Sequence, residues 1–378
     1  MAARRCVGGR GTSDEGLESA MSRRIAVLTS GGDCPGLNAV LRGVVRAASN
    51  RNWEVLGIHD GFEGLLVKDS FELLDLRRTA GIMRLGGTIL GTTNRGHFIS
   101  KVGAGSLAQV SPEIIAQTKA TLRELGIEAL IVIGGDGSLT CALQLHQAGI
   151  PVVGVPKTID NDLEATAMTF GFDSAVACVA DALDRLHTTA SSHKRAMVIE
   201  VMGRHAGWIA LYGGLAGGAD VILIPEIPFD FEKVANAVRQ READRCLSSL
   251  IVVAEGAHGV NEGEVFQKTT VGEYKLGGIG ERVAADIERR TGKETRTCVL
   301  GHLQRGGAPT TLDRILGTRF GVHAVELIAD GRLGEMVSYQ NYEVASVPIA
   351  DAVDRLKVVQ PDSQMVLAAR AVGISFGD

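Results

Sequence analysis

Asp160 and Asp162 stand two residues apart in Pro156-Lys157-Thr158-Ile159-Asp160-Asn161-Asp162, a run that also supplies a hydroxyl and an ammonium. In such a run Asp160 can take a proton from an alcohol, and Asp162 can orient it or reach a metal. Taken alone, the same residues read rather as a turn rich in Asx hydrogen bonds. Their company favours chemistry. Twenty-odd residues earlier, Ala129-Leu130-Ile131-Val132-Ile133 runs into Gly134-Gly135-Asp136-Gly137-Ser138, and a helical pattern continues through Leu139, Leu143 and Leu145. Glycine lacks Cβ, so a phosphate can approach the backbone there, and the free amides of a helix N-terminus favour its charge. Asp136 stands where a carboxylate can hold Mg²⁺ against such phosphates. The plainer reading of this stretch is a tight turn between strand and helix with a capping Asp.

A second cradle of the same kind opens the folded chain. Arg24-Ile25-Ala26-Val27-Leu28 reads as a buried strand and passes through Thr29-Ser30-Gly31-Gly32-Asp33-Cys34-Pro35-Gly36-Leu37-Asn38 into a helix bearing Val40, Leu41, Val44 and Val45. The spacing is neither G-x-G-x-x-G nor G-x-x-x-x-G-K-[ST], so neither a dinucleotide fingerprint nor a P-loop is indicated. Two cradles in one sheet place a site across the carboxyl ends of parallel strands. A short strand is expected at Trp53–Ile58, then a helix before Gly86. The loop 86–96 (GGTILGTTNRG) combines glycines, hydroxyls and Arg95, a composition suited to polyphosphate oxygens, although alone it reads as a polar loop. Ile150–Val155 is a further buried strand that delivers the acidic run at its carboxyl end. Beyond it, strands are expected at Met197–Val201 and Leu250–Val253.

The remaining features bound the class. At 378 residues, with 45% hydrophobic and 4% aromatic residues and 48 glycines, the chain can bury a large aliphatic core in two domains of roughly 100–200 residues each. A net charge of −5 gives no electrostatic reason to bind nucleic acid or an acidic membrane. No apolar run reaches the roughly 18 residues of a membrane span. The six cysteines are scattered without a C-x-x-C pair, which fits reduced thiols in a cytoplasmic protein. Residues 1–20 are polar and aperiodic and are expected to form a disordered tail, with Met21 an alternative start.

The motifs TSGGDCPGLN, GGTILGTTNRG, IGGDGS, PKTIDND, SSHKRAMVIEVMGRHAGW, AEG and GHLQRGG occur in an order and at spacings that resemble the 6-phosphofructokinase family, from about Arg24 to Arg319. That resemblance implies an α/β fold of two Rossmann-like parallel-sheet domains with the active site in the cleft between them. The implied division is 21–170 plus about 304–353 for nucleotide, and 171–303 plus about 354–378 for sugar phosphate. It further implies a homotetramer with shared active sites that transfers phosphate from ATP to C1 of fructose 6-phosphate with Mg²⁺. The alternative donor is pyrophosphate.

By the same resemblance, Asp160 is the general base, with Thr158 and Asp162 beside it; Thr158 and Arg204 are catalytic with it, and Thr158, Ile159 and Asp160 also meet the substrate. Gly31, Arg95, Gly135, Asp136, Gly137 and Ser138 meet the nucleotide, and Asp136 carries the metal. Met202, Gly203, Arg204, Glu255, His302 and Arg305 meet the sugar phosphate, while Arg195 and Arg296 resemble residues that a neighbouring subunit contributes. Arg95 or a neighbour offsets charge in the transition state, although GTTNRG is one residue out of the commoner spacing. Two positions bear on the donor and disagree. Gly137 matches ATP users, in which an acidic side chain would crowd the α-phosphate, whereas Lys157 matches pyrophosphate users. The steric criterion favours ATP. Arg42 and Arg46 match an effector site on the first helix, and Asp220 is a candidate for its metal-binding acid, but the expected lysines near Asp244–Ser248 are missing. The role of Val337–Asp378 is not legible. A kinase of another substrate class sharing a GGDG loop would lack PKTIDND and GHLQRGG, and a purely regulatory subunit would not need Asp160 and Asp136.

Overall fold

The computed structural model describes residues 23–93, 95–98, 109–268 and 274–378. The expected tail 1–20, Met21, and Asn94 of the glycine loop lie outside them. In chain order the strands are β1 (Arg24–Thr29), β2 (Glu54–Ile58), β3 (Phe71–Leu73), β4 (Ala129–Gly134), β5 (Val152–Thr158), β6 (Phe170–Gly171) and β7 (Ala196–Val201). They continue as β8 (Val221–Leu223), β9 (Ser249–Ala254), β10 (Phe266–Lys268), β11 (Tyr274–Leu276), β12 (Thr295–Val299), β13 (Glu335–Gln340) and β14 (Glu343–Pro348). The helices are α1 (Leu37–Ser49), α2 (Pro112–Glu124), α3 (Asp136–Gln147), α4 (Phe172–His193) and α5 (Trp208–Ala216). After them come α6 (Phe231–Ala243), α7 (Ile279–Thr291), α8 (Thr311–Ala329), α9 (Ile349–Val353) and α10 (Gln364–Ala371).

Two main sheets divide the chain. The larger has the order β14-β13-β5-β4-β1-β2-β3, with β6 paired to β5. Its centre is parallel, because β1, β4 and β5 carry unbroken apolar runs buried on both faces and each is followed by a crossover rather than a hairpin. Its two edges are antiparallel: β3 on β2, and β14 on β13. The smaller sheet, β12-β7-β9-β8, is parallel throughout. Two Rossmann-like sheets are therefore present as expected, with antiparallel strands closing the rims of the larger one. That sheet reverses its direction of growth between β1 and β4, where both cradles emerge.

Two local expectations are corrected. The α-helix expected before Gly86 is replaced by a 3₁₀ turn at Gly61–Leu66, β3, turns and a second 3₁₀ turn at Ile82–Arg84. Phe71–Leu73 pairs with Ile58–Leu56 and covers a sheet edge that a helix there would leave open. The strand expected at Ile150–Val155 runs on to Thr158, so Lys157 and Thr158 are strand residues and the acidic pair follows directly. Pro156 is tolerated because it pairs with Gly134, the last residue of β4, where one missing donor disturbs little.

Helix α1, which carries the first cradle, packs against α8 at backbone contact. A Cβ on Gly321 would stand 2.3 Å from the Val40 carbonyl oxygen, and one on Gly43 would stand 2.6 Å from that of Thr318. Alanine normally stabilises a helix by about 1 kcal/mol over glycine, so propensity and packing oppose each other here. The overlap is with rigid backbone, and packing wins. Gly321→Ala is expected to lower unfolding free energy by about 1–3 kcal/mol, read as a lower denaturant midpoint at constant m-value; a midpoint equal to or above wild type would contradict the close crossing.

Candidate active site

The cradles are built by loops that lace together. Thr29 Oγ1 donates to the Gly91 carbonyl (2.8 Å), Thr92 Oγ1 donates to the Gly31 carbonyl (2.7 Å), and Gly31 N donates to the Thr93 carbonyl (3.2 Å). Asn38, buried on α1, donates to the Leu85 and Gly86 carbonyls and accepts from Ile89 N at 2.9 Å. The glycine loop is thereby fixed, as far as Thr93, beside the end of β1. Arg95 is exposed on it, its amide bound to Thr93 Oγ1 at 3.1 Å. Gly31 has φ +81°, and a Cβ there would stand 3.3 Å from Ser138 Oγ and 3.5 Å from Lys157 Nζ. The two cradles are thus in contact, and only a residue without a side chain leaves the backbone open between them. Gly135 caps α3, and Asp136, Gly137 and Ser138 form its half-buried first turn, where the helix dipole favours anions.

Asp160 and Asp162 lie past the end of β5, 3% and 5% exposed. One oxygen of each, Oδ1, is buried without a hydrogen-bond partner. Asp160 N donates to Thr158 Oγ1 at 3.0 Å, which fixes the turn, and Ile159 is buried beneath it in the core. Burial pushes the Asp160 carboxyl upward, and Arg305, Arg204 and Lys157 pull it back. Burial pushes Asp162 up to about 7, and its leading neighbours, Asp160 and Asp136, push the same way. Both carboxyls are thus pushed upward by burial, and at this separation they titrate as one pair rather than as two independent acids. Lys157 is itself depressed by burial, and its Nζ donates to the Gly32 carbonyl.

The smaller sheet presents its own carboxyl ends to this cluster. Met202, Gly203 and Arg204 follow β7, Glu255 follows β9, and His302 and Arg305 lie on the 3₁₀ turn after β12. Arg204 holds a left-handed φ of +52°, with its amide on Glu255 Oε1 at 3.1 Å. Met202 N donates to Gln304 Oε1 at 3.3 Å, tying the end of β7 to the same 3₁₀ turn. Arg305 reaches the first cradle, with Nη1 donating to the Asp33 carbonyl at 3.1 Å. A Cβ on Gly86 would lie 2.1 Å from the Gly307 carbonyl oxygen, so the segment just past that 3₁₀ turn abuts the glycine loop. His302 is exposed beside it.

Four candidates are not brought in. Arg195 precedes β7 and Arg296 lies at the start of β12, the amino end of the smaller sheet, about 20 Å of strand from Met202. Both bind Glu294, at 3.0 and 2.6 Å. Arg42 and Arg46 sit one turn apart on α1. A fifth, Asp220, has both oxygens engaged, by Arg241 at 2.7 Å and by Leu250 N at 2.8 Å. Burial raises its carboxyl.

Other residues that organise the site carried no signal in the sequence. Glu200, buried on β7, accepts from Gly278 N and Gly280 N and so anchors the N-terminus of α7. Asp313, fully buried on α8, accepts from Ser174 N (2.8 Å) and Ser174 Oγ (2.6 Å) and joins α8 to α4. Among the described residues no helix is long and apolar enough to cross a membrane, and no disulfide joins the described cysteines.

Comparison with known proteins gives this geometry its place. An ATP-dependent 6-phosphofructokinase of Chloroflexus aggregans is 55% identical over 94% of this chain and 98% of its own length. A pyrophosphate--fructose 6-phosphate 1-phosphotransferase of Amycolatopsis methanolica is 49% identical over 90% of this chain and 97% of its own. The solved phosphofructokinase of Saccharomyces cerevisiae superposes with a TM-score of 0.76 at 31% identity, over 88% of this chain and 45% of the yeast chain. A family profile described as Phosphofructokinase matches residues 24–328, the stretch that holds both cradles, the acidic pair and the 3₁₀ turn, and the chain belongs to the phosphofructokinase family.

Proposed function

We propose that the chain is an ATP-dependent 6-phosphofructokinase of glycolysis, forming fructose 1,6-bisphosphate and ADP. The observation that carries this reading is the unpartnered Oδ1 of buried Asp160 beside the paired cradles. The C1 hydroxyl oxygen of fructose 6-phosphate attacks the γ-phosphorus. Its proton passes to the Asp160 carboxylate, and the bond to the β–γ bridging oxygen breaks to release ADP. The protein contributes position and charge. The amides around Gly31 and at the start of α3 receive the phosphates. Arg204, with Arg95 on the opposite loop, faces developing negative charge. Thr158 fixes the turn of the base. On the sugar side, Glu255 meets hydroxyls, and His302 and Arg305 meet the 6-phosphate. Met202 and Gly203 form the backbone floor.

Mg²⁺ fits this site in the manner usual for nucleotide enzymes, with one carboxylate and the substrate's own phosphates as ligands. No cluster of three or more His, Cys, Asp or Glu side chains suited to a metal occurs among the described residues. Asp136 would hold the ion, which when bound neutralises charge on the phosphates. The position of Arg195 and Arg296, remote from their own chain's acidic pair, supports a shared site in a homotetramer, each arginine serving a neighbour. The engagement of Asp220 supports an effector response unlike that built on a free acid, even with Arg42 and Arg46 in place.

For the donor, the Lys157 ammonium is turned onto the Gly32 carbonyl, while position 137 carries no side chain. This combination supports ATP. Gly137→Asp would set a carboxylate near the α-phosphate. Two unit charges about 4 Å apart interact by roughly 4 kcal/mol at an effective dielectric of 20. ATP turnover should therefore fall at least a hundredfold, with any pyrophosphate turnover much less affected. Equal losses with both donors, or faster wild-type turnover with pyrophosphate than with ATP, would reverse the donor assignment.

Asp160→Asn should leave fructose 6-phosphate binding within a fewfold of wild type and reduce kcat by about 10²–10⁴; kcat within tenfold would place the base elsewhere. Shared sites are testable by mixing. Hybrids reassembled from inactive Asp160→Asn and Arg296→Ala subunits should regain activity above either parent, and hybrids no better than the parents would exclude an arginine crossing between subunits.

A further inference from the structure

The segment 356–359 lies beyond the part of the chain that the family profile matches, and it touches both halves of the cleft. On the larger-sheet side, Leu356 bridges to Leu163, and Lys357 N donates to the Asp162 carbonyl at 2.9 Å. On the smaller-sheet side, Trp208 Nε1 donates to the Lys357 carbonyl at 2.9 Å. Val359 N donates at 2.8 Å to Glu226 Oε1, which also accepts from Gly207 N. Trp208 opens α5, directly after the turn that carries Arg204.

The Lys357 side chain closes this strap. Its Nζ donates to Asn161 Oδ1 (3.1 Å) and to the carbonyls of Thr166 (2.9 Å) and Ala167 (3.0 Å), and it lies 5.5 Å from the centre of the Trp208 ring. All three donors of the ammonium are thereby used. Asn161 stands between the two aspartates in a left-handed conformation, φ +51°. Its Oδ1 also accepts from Thr169 N, and Thr169 Oγ1 donates to the Thr158 carbonyl. The backbone on both sides of Asp160 is thus held through Asn161, and Asn161 is held by Lys357.

Resting on the phosphofructokinase reading, we propose that Lys357 is a positioning residue, which clamps the Asp160–Asp162 turn through Asn161 and ties it through Trp208 to the domain that bears Arg204. It touches no reacting atom. Its effect is on the placement of the base relative to the sugar hydroxyl. A displacement of about 1 Å in a reacting group can cost roughly a hundredfold in rate, so removal of the clamp falls on kcat rather than on substrate binding.

The test compares steady-state kinetics of Lys357→Met, Lys357→Arg and Asn161→Ala, and of the Lys357→Met/Asn161→Ala double variant. Lys357→Met is expected to lower kcat by about 10–100-fold with both KM values within threefold, and Lys357→Arg to recover at least half of that loss on a logarithmic scale. The double variant should be no slower than the slower single, because both changes cut one chain of contacts. Unchanged kcat in Lys357→Met, or losses that multiply in the double variant, would overturn the clamp. If Lys357→Met does not fold, Trp208→Phe severs the other anchor and is expected to lower kcat at least threefold without a matching rise in KM; unchanged kcat there would overturn the proposal equally. An inactive wild-type enzyme would instead overturn the phosphofructokinase reading itself, so the two failures are distinguishable.

Discussion

The Asp160 carboxylate is buried with one oxygen unpartnered, and most of what surrounds it follows from keeping it there. An uncompensated buried charge is costly, and a further carboxylate, Asp136, pushes in the unfavourable direction. Compensation comes from Arg204 and Arg305 on the smaller-sheet side and Lys157 on β5. Neither half of the cleft is electrostatically complete alone. That buried carboxylate is tolerable only when the second domain delivers its arginines, so its charge balance and the proposed phosphoryl transfer call for the same approach of the two domains.

Parallel strands make that approach possible. In both sheets the strands release their loops at the carboxyl end, and the two carboxyl ends face one another. The larger sheet supplies amides, a helix N-terminus and the acidic pair, while the smaller supplies cations and Glu255. Links from one half to the other then hold the cleft at hydrogen-bond distance. Arg305 binds the Asp33 carbonyl, Asp313 on α8 binds Ser174 on α4, and the 356–359 strap joins Asp162 to Trp208. The strap also gives the C-terminal region a role: β13 and β14 extend the larger sheet, and Ser375 pairs with Val221 at the edge of the smaller one.

What the sequence disclosed is what local physics writes locally. An apolar run, glycines and a helical repeat specify each cradle within about fifteen residues, so Gly31, Asp136 and Gly137 could be found without coordinates. The acidic run is equally local. The end of β5 was not, because Pro156 argues for stopping a strand and only its pairing with Gly134 makes it harmless. The region before Gly86 carries a local helical pattern, and the need to cover the exposed edge of β2, which β3 meets, belongs to tertiary structure. Lys357, Glu226, Asp313 and Glu200 left no trace at all. Each acts on a partner between about 20 and 200 positions away, and a single polar residue, whether in an irregular segment or inside a helix or strand, carries no periodicity to betray that partner.

The most direct measurement of the central claim is ³¹P NMR of the purified chain with ATP, Mg²⁺ and fructose 6-phosphate. A double cradle serving one alcohol-activating base should produce fructose 1,6-bisphosphate and ADP in equal amounts, with no free phosphate beyond the rate seen without sugar. Conversion of ATP to ADP and inorganic phosphate alone, or a new phosphate ester at a position other than C1, would contradict it.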